Sequence, residues 1–377
     1  MSDSQEDQKG KVRLFDLSVS EWVETVRVWG WPKFRAIQVL EWVYGKLEAD
    51  PEKMSNLSKA DRALLAERVL IGDGQTIANQ LSSDGTRKLL IEWPATKDQP
   101  RGAHAETVMI PDGDRRTACV SSQVGCPVGC KFCASGVGGV KGNLTSGQIV
   151  EQIFQLNRIL NPGRVPAPGG ERVTNVVFMG MGEPLANYSA VMTSIRTLHD
   201  PACFNMGARR ITVSTVGVPQ RIKQLASEDL PLNLAISLHA PSEKIRRELI
   251  PWAEHFSIEE ILDAARFYFQ HSGREITLEY ILLAGINDRP EHARELAQIC
   301  RTLRANVNLL RYNEVEGTPY KRPTSEDVVV FQDVLRHNGI NAHVRKSRGR
   351  DIDAACGQLK KKKVDDAGAT PLTIAGR

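Results

Sequence analysis

Cys126-Pro-Val-Gly-Cys130-Lys-Phe-Cys133 puts three cysteines into one loop of small, turn-forming and apolar residues that runs from Ser121 to Val137. Thiolates separated by three and then two residues reach three irons of a four-iron cluster and leave the fourth iron an open coordination site. A structural zinc site takes four protein ligands and usually pairs two such knuckles. This chain has no second knuckle: Cys119, Cys203, Cys300 and Cys356 stand singly. Zinc and inert buried thiols are the competing readings, and the alternating strand and helix pattern that follows the loop favours a cluster.

That pattern sets the fold class. A capped helix, Thr145 to Leu160, leads through a Pro/Gly-rich connector, Asn161 to Gly170, into strands expected at Val173–Phe178, Arg210–Val216, Leu232–Leu238, Ile276–Leu282 and Val307–Leu310. Helices are expected between and after them, at Tyr188–Leu198, Pro219–Ala226, Ser242–Leu249, Ile258–Gln270, Pro290–Thr302 and Ser325–Arg336. With Thr117–Val120 ahead of the cysteines, six strands in a βα series predict an α/β fold, a parallel sheet curved into a partial (βα)6 barrel over residues 117–344.

In such barrels function sits where strands end. The strand ends here are Met179-Gly-Met-Gly182-Glu183-Pro184, Ser214-Thr-Val-Gly217, Ser237-Leu238-His239-Ala240, Gly285-Ile-Asn-Asp288 and Tyr312-Asn313. Gly182 lets the backbone lie against a ligand, Glu183 can accept from a ligand ammonium, and Ser214 can donate to a carboxylate. Each alone reads as structural. Gathered on one rim beside the cysteine loop, they read as a binding site.

Upstream, Met1 to Lys11 is a polar lead-in expected to be disordered. Helical spacing from Ser18, from Phe34 to near Leu47 and from Ala60 to Val69 defines a small N-terminal helical accessory module, residues 1–72. Its Lys33, Arg35 and Arg62 beside aromatic residues suit RNA phosphates and bases, or equally a solvated surface over an aromatic core. A β-hairpin extension at 73–116 pairs Ile77–Leu81 with Lys88–Trp93 about Ser83-Asp84-Gly85, and Glu106 to Ile110 follows. At the other end, 345–377, the basic stretch Arg345-Lys-Ser-Arg-Gly-Arg350 reads as a mobile loop leading to Cys356. Lys360–Lys363 then reads as a solvated tail or an RNA backbone contact.

Composition sets the bounds. The 377 residues are 41% hydrophobic and 25% charged with a net charge of +4, an ordinary soluble composition in which partner choice falls to local patches. No apolar run approaches ~18 residues and the start is polar, so neither a membrane span nor a secretory signal is expected and the protein is expected in the cytoplasm. Seven cysteines without a pairing framework suit a reducing compartment.

With these residues in place the chain resembles the RlmN family, radical S-adenosylmethionine (SAM) methyltransferases that methylate C2 of an adenosine in 23S rRNA and in tRNA. The resemblance runs from about Leu17 to Leu359. It is carried by Cys119-Val-Ser-Ser-Gln-Val-Gly-Cys126, the cysteine triplet, Phe178-Met-Gly-Met-Gly-Glu-Pro-Leu185, Ala235-Ile-Ser-Leu-His-Ala-Pro241 and Asp351-Ile-Asp-Ala-Ala-Cys-Gly-Gln-Leu359. It implies a [4Fe-4S] cluster held by Cys126, Cys130 and Cys133, and SAM contacts from Gly182, Glu183, Ser214, Ser237, Leu238, His239 and Asn313. It further implies that Cys356 carries the methyl group, that Cys119 is its partner thiol and that Glu106 accepts a proton. Two SAM molecules per turnover, a flavodoxin-like or other electron donor, 23S rRNA and tRNA as partners and a monomeric state complete the expectation. Without the resemblance, Cys119 is a small core hydrophobe and Glu106 a solvent-facing strand residue.

Two positions depart from the family pattern. Gly142 stands in Val140-Lys-Gly-Asn-Leu144 where relatives generally have arginine, and Leu310-Arg-Tyr-Asn-Glu314 replaces the common Ile-Pro-x-Asn-Pro. A sister family that methylates C8 of the same ribosomal adenosine shares many motifs, but Pro184 and the full helical module resemble the C2 enzymes more. A non-catalytic RNA-binding scaffold is the other alternative. It would show a degraded triplet or lack the tail cysteine, and both are present.

Overall fold

The computed structural model describes residues 10–96, 99, 101–162 and 171–359. Most of the polar lead-in, most of the Pro/Gly-rich connector and the Lys360–Lys363 run lie outside the described residues.

The chain begins with a short strand, β1 (Val12–Arg13), and three helices, α1 (Val19–Val28), α2 (Lys33–Leu40) and α3 (Lys59–Arg68), before β2 (Val69–Leu70) pairs parallel with β1 and closes the module. Ser18 and Ser58 cap α1 and α3, each accepting a backbone N–H three residues on, which satisfies a donor that the first turn leaves open. Trp31-Pro32 ends the first helical pattern, and α2 continues into a π-helical turn, Glu41–Gly45. Trp22, Trp31, Trp42 and Tyr44 go inward while Phe34 stays 58% exposed; the Trp22 indole N–H donates to the Ala36 carbonyl at 3.1 Å.

Next come β3 (Gln75–Leu81), β4 (Arg87–Trp93), β5 (Ala103–Asp112) and β6 (Arg115–Cys119), an antiparallel meander. The cysteine loop lies between two short antiparallel strands, β7 (Gln123–Gly125) and β8 (Val140–Asn143). The alternating part follows as α4 (Ser146–Leu160), β9 (Asn175–Phe178), α5 (Tyr188–His199), β10 (Ile211–Thr215), α6 (Pro219–Ala226) and β11 (Asn233–Ser237). It continues with α7 (Glu243–Leu249), α8 (Ile258–Ser272), β12 (Ile276–Leu282), α9 (Pro290–Arg301), β13 (Ala305–Arg311), α10 (Ser325–His337) and β14 (Ala342–Arg345).

All the long strands belong to one ten-stranded sheet in the order β14-β13-β12-β11-β10-β9-β6-β5-β4-β3. From β6 to β14 every neighbouring pair is parallel. Strands covered on both faces read as near-continuous apolar runs, which is why Ile276-Thr-Leu-Glu-Tyr-Ile-Leu282 was visible as one. The six expected strands form, and β14 adds a seventh parallel strand at the edge. It is four residues long with a buried Ala342 and an exposed His343, too short and too polar to stand out from the basic stretch it enters.

Helix α4, directly after the cysteine loop, joins the module to the barrel. Ile149, Ile153 and Leu156 pack into the main core, while Val150 and Phe154 on the other face complete the core of the module. Polar contacts reinforce the seam. Arg13 pairs with Asp73 at 2.5 Å, and the Asp16 carboxylate accepts the Gly147 N–H at 2.6 Å, where the positive end of α4 favours an anion. Among the described residues no helix is long and apolar enough to cross a membrane.

Candidate active site

The three loop cysteines are half-buried in a cradle whose walls include Val128, Phe132, Val216, Leu249 and Ile250. The loop is fixed to the end of α7 by the Lys131 N–H, which donates to the Leu249 carbonyl at 3.0 Å. Burial pushes the Cys126 thiol up to about 12 and moves Cys130 and Cys133 in the same direction. Among the described residues no three His, Cys, Asp or Glu side chains converge on a single ion. Cluster thiolates bind separate irons and need no common point, so an all-sulfur donor set in an apolar wall fits a [4Fe-4S] cluster better than zinc.

The rim beside the loop collects the strand-end residues. Gly182 has φ +111°, and a Cβ there would lie 2.7 Å from Ser122 Oγ and 2.9 Å from the Gln123 backbone nitrogen, so only glycine fits this close passage. Both carboxylate oxygens of Glu183 accept backbone N–H groups, from Leu185 at 3.0 Å and Val216 at 2.8 Å. Burial nonetheless moves its carboxyl up to about 7. Ser214 and Ser237, neighbours across β10 and β11, share a hydroxyl contact of 3.3 Å. Leu238 is buried and its N–H donates to the Glu279 carbonyl at 3.1 Å. His239 takes a left-handed backbone conformation (φ +59°), and its Nδ1 accepts the Ile281 N–H at 3.1 Å. Burial brings this imidazole down to about 3, so it is neutral, with its proton on Nε2.

The two remaining cysteines of interest meet in one cavity, lined among others by Cys119, Cys133, Met179, Asn313, Arg345 and Cys356. Hydrogen bonds from the cysteine loop and from the segment after β13 hold the C-terminal segment across the barrel mouth. The Ala134 N–H donates to the Gly357 carbonyl at 2.7 Å, the Ser135 hydroxyl to Leu359 O at 2.7 Å, and the Asn313 amide to Cys356 O at 3.3 Å. Cys119 is buried, and burial together with the neighbouring Cys356 pushes its thiol up to about 12. The Arg345 guanidinium is raised chiefly by Cys356.

Glu106 is 4% exposed, which excludes the solvent-facing alternative, and its Oε1 pairs with the Lys88 ammonium at 3.2 Å. The stretch read as a mobile loop is tied down by the β3–β4 turn. Ser82 Oγ donates to Asp351 Oδ1 at 2.5 Å, the Ser83 N–H to Asp351 Oδ2 at 3.0 Å, and the Gly349 N–H to Asp84 Oδ2 at 3.0 Å. Arg345 ends β14 and lines the cavity.

Other expectations fall elsewhere. Lys33 is exposed on the module, outside this cavity, and Arg35 is engaged within the module by Asp61 at 3.3 Å and Gln38 at 2.7 Å. At the two departures, a Cβ on Gly142 would meet nothing within 4 Å, and Arg311 points to Pro323 O at 2.8 Å and Ser325 Oγ at 3.2 Å, bracing the start of α10. Cys300 is in the main core and Cys203 packs on the module. Lys88 and Arg322, which donates to Asn313 Oδ1 at 3.0 Å, were missed, and Arg345, read as the start of a mobile basic stretch, lines the cavity. Lys88 carries a signal in retrospect, as a lysine among the apolar residues of a strand.

A parallel barrel with a three-cysteine loop at its mouth and a second thiol pair beside it defines a radical SAM methyltransferase. Residues 120–297 match the radical SAM superfamily, and residues 12–71 match the ribosomal RNA large subunit methyltransferase N-terminal domain. The chain is 44% identical to a probable dual-specificity RNA methyltransferase RlmN of Thermotoga maritima, over 93% of this chain and 98% of that one. It is 41% identical to the dual-specificity RNA methyltransferase RlmN of Alcanivorax borkumensis, over 93% and 90%. The crystal structure of a radical SAM methyltransferase from Sphaerobacter thermophilus superposes with a TM-score of 0.85 at 42% identity, covering 93% of this chain and 99% of that one. The chain belongs to the RlmN family of radical SAM RNA methyltransferases, and membership implies a [4Fe-4S] cluster and SAM.

Proposed function

We propose that the protein methylates C2 of an adenosine in 23S rRNA and in tRNA, with Cys356 carrying the methyl group, Cys119 releasing the product and Glu106 accepting the C2 proton. The observation that carries this reading is the meeting of Cys119 and Cys356 in one cavity next to Cys133. The relatives are named dual-specificity RNA methyltransferases, and the N-terminal match is to a ribosomal RNA large subunit methyltransferase domain, which supports an RNA substrate.

Cys126, Cys130 and Cys133 would hold the cluster, with Gly182, Glu183, Ser214, Ser237, Leu238, His239 and Asn313 placing SAM against it. Bound there, the pair supplies the hydrogen-abstracting chemistry that an electron-poor aromatic C–H requires. The protein's own groups do the rest. Cys356 Sγ takes a methyl group from one SAM, so two SAM molecules are used per turnover. The Cys119 thiolate then attacks Cys356 Sγ. With the C2 proton passed to Glu106 and one electron returned to the redox centre, the new S–S bond would form as the carbon–sulfur bond breaks; its electron pair stays on the transferred carbon, which takes up a proton to become the methyl group, and an external thiol reduces the disulfide. A base in helical RNA must leave its stack to reach this cavity.

The four segments 1–72, 73–116, 117–344 and 345–377 serve as RNA-gripping module, hairpin extension, catalytic barrel and methyl-carrying tail. A flavodoxin-like or other electron donor, a monomeric state and a cytoplasmic location belong to the same reading. The test is mass spectrometry of Cys119→Ala protein after nuclease trimming. Cys356 should be methylated and joined to RNA through its sulfur; free RNA carrying 2-methyladenosine at normal yield would refute the assignment of Cys119.

A further inference from the structure

We propose that Lys88 is a positioning residue for the methyl transfer: its buried ammonium ties Glu106 to the Asp353 carbonyl and so fixes the proton acceptor relative to Cys356. The inference rests on the reading of Glu106 and Cys356 given above. The strand register brings these groups together. Lys88 on β4 stands opposite Val108 on β5, and Val108 stands opposite Cys119 on β6, so one row across three strands carries a lysine at one end and the partner thiol at the other. Glu106 lies two residues from Val108 on the same face, diagonal to Lys88 and within reach of a long side chain.

Lys88 is 7% exposed, and a lysine so deeply buried needs partners for its charge. It has two of different kinds. Glu106 Oε1 is 3.2 Å from its Nζ, and the Asp353 carbonyl, three residues before Cys356, accepts from the same Nζ at 3.2 Å. Asp353 is a non-glycine residue in the left-handed region (φ +51°), a conformation that persists only where surroundings hold it. One ammonium therefore orients the carboxylate that takes the proton and anchors a strained peptide in the loop that presents the methyl carrier. The turn bonds to Asp351 and Gly349 hold the rest of that loop without Lys88.

This division of labour predicts a specific failure. In Lys88→Met the turn bonds still hold the loop at Asp351 and Gly349, so methylation of Cys356 by SAM should fall far less than release of RNA. The carboxylate loses its fixed oxygen, proton removal slows, and RNA joined to Cys356 should accumulate at least about tenfold over wild type, in line with the cost of displacing a catalytic group by about 1 Å. Lys88→Arg, which keeps the charge and several donors, should restore most of the product release. The assay is intact-mass analysis of cluster-loaded, full-length protein turned over with RNA, with Glu106→Gln in parallel. Accumulation in Glu106→Gln but not in Lys88→Met overturns the role of Lys88 alone. Normal release in Glu106→Gln overturns the reading of Glu106 beneath it. Equal loss of Cys356 methylation and RNA methylation in Lys88→Met, without joined RNA, marks a purely structural lysine and also overturns the proposal. If Lys88→Met does not fold, Lys88→Gln, with a neutral donor of similar length, takes its place under the same outcomes.

Discussion

Gly349→Ala tests whether the β3–β4 turn holds the loop that bears Cys356 in place. Gly349 has φ +66°, and a Cβ there would lie 2.8 Å from Thr86 Cγ2 in the turn and 2.8 Å from Ala354 Cβ in the loop. The left-handed conformation costs a non-glycine residue about 1–2 kcal/mol, and forcing a methyl group between two packed surfaces adds about 1–3 kcal/mol. A total of about 3 kcal/mol, at about 1.4 kcal/mol per factor of ten, shifts the docked-to-undocked ratio of the loop by ~100-fold. The barrel core does not include this loop, so the global unfolding transition should move little. Cys356 alkylation by iodoacetamide in the folded protein should accelerate, proteolysis at Arg348 and Arg350 should appear, and methylation of Cys356 by SAM should fall by one to two orders of magnitude. Unchanged alkylation and methylation in a protein of wild-type melting temperature would mean that the turn bonds do not govern the position of Cys356.

Two further outcomes follow from the geometry. Cys126→Ala should fold but fail to hold about four irons after anaerobic reconstitution; full iron and sulfide content in that variant would count against the triplet as the ligand set. Burial pulls the Asp84 carboxyl up, but the bonds from Thr86, Gly349 and Ser82 outweigh it and lower the group from 3.8 to about 2. Because the folded value lies below the unfolded one, the stabilisation is complete above about pH 4 and is lost as pH falls through about 2. At full burial the shift would be worth about 2 kcal/mol, reduced by solvent screening to about 1 kcal/mol for this partly exposed group. Asp84→Asn should therefore lose part of the acid dependence of loop protection between pH 4 and 2, and an identical pH profile for variant and wild type would contradict the role of the carboxylate.

The parts of the fold legible in the sequence are those whose cause is local. Alternating apolar runs gave the parallel strands, Ser18, Thr145 and Ser257 mark helix starts through their own side chains, and the cysteine spacing declares the loop. The contacts that complete the site are not local. Asp84 meets Gly349 across 265 positions and Lys88 meets Asp353 across the same separation, and neither pair leaves a periodic trace in the sequence. For that reason the basic stretch before Cys356 read as mobile when it is latched, and the hairpin extension had no stated purpose. Arg35, read as an RNA contact from its charge beside aromatics, also pairs with Asp61 inside the module, a contact the sequence does not signal. RNA grip by the module is tested by charge reversal at Lys33, because deleting the module would uncover Val150 and Phe154 on α4.

The bond between Ser135 and Leu359 spans 224 positions and makes the order of synthesis matter. At roughly 5–20 residues per second on the ribosome, the segment carrying Cys356 is made about 10 to 45 s after the cysteine loop. The walls of the cradle, Val216, Leu249 and Ile250, are also made after the loop, so neither the walls nor the tail across the mouth is in place when Cys126, Cys130 and Cys133 emerge. The cavity shared by Cys119, Cys133 and Cys356 therefore forms only once segments 224 positions apart have met.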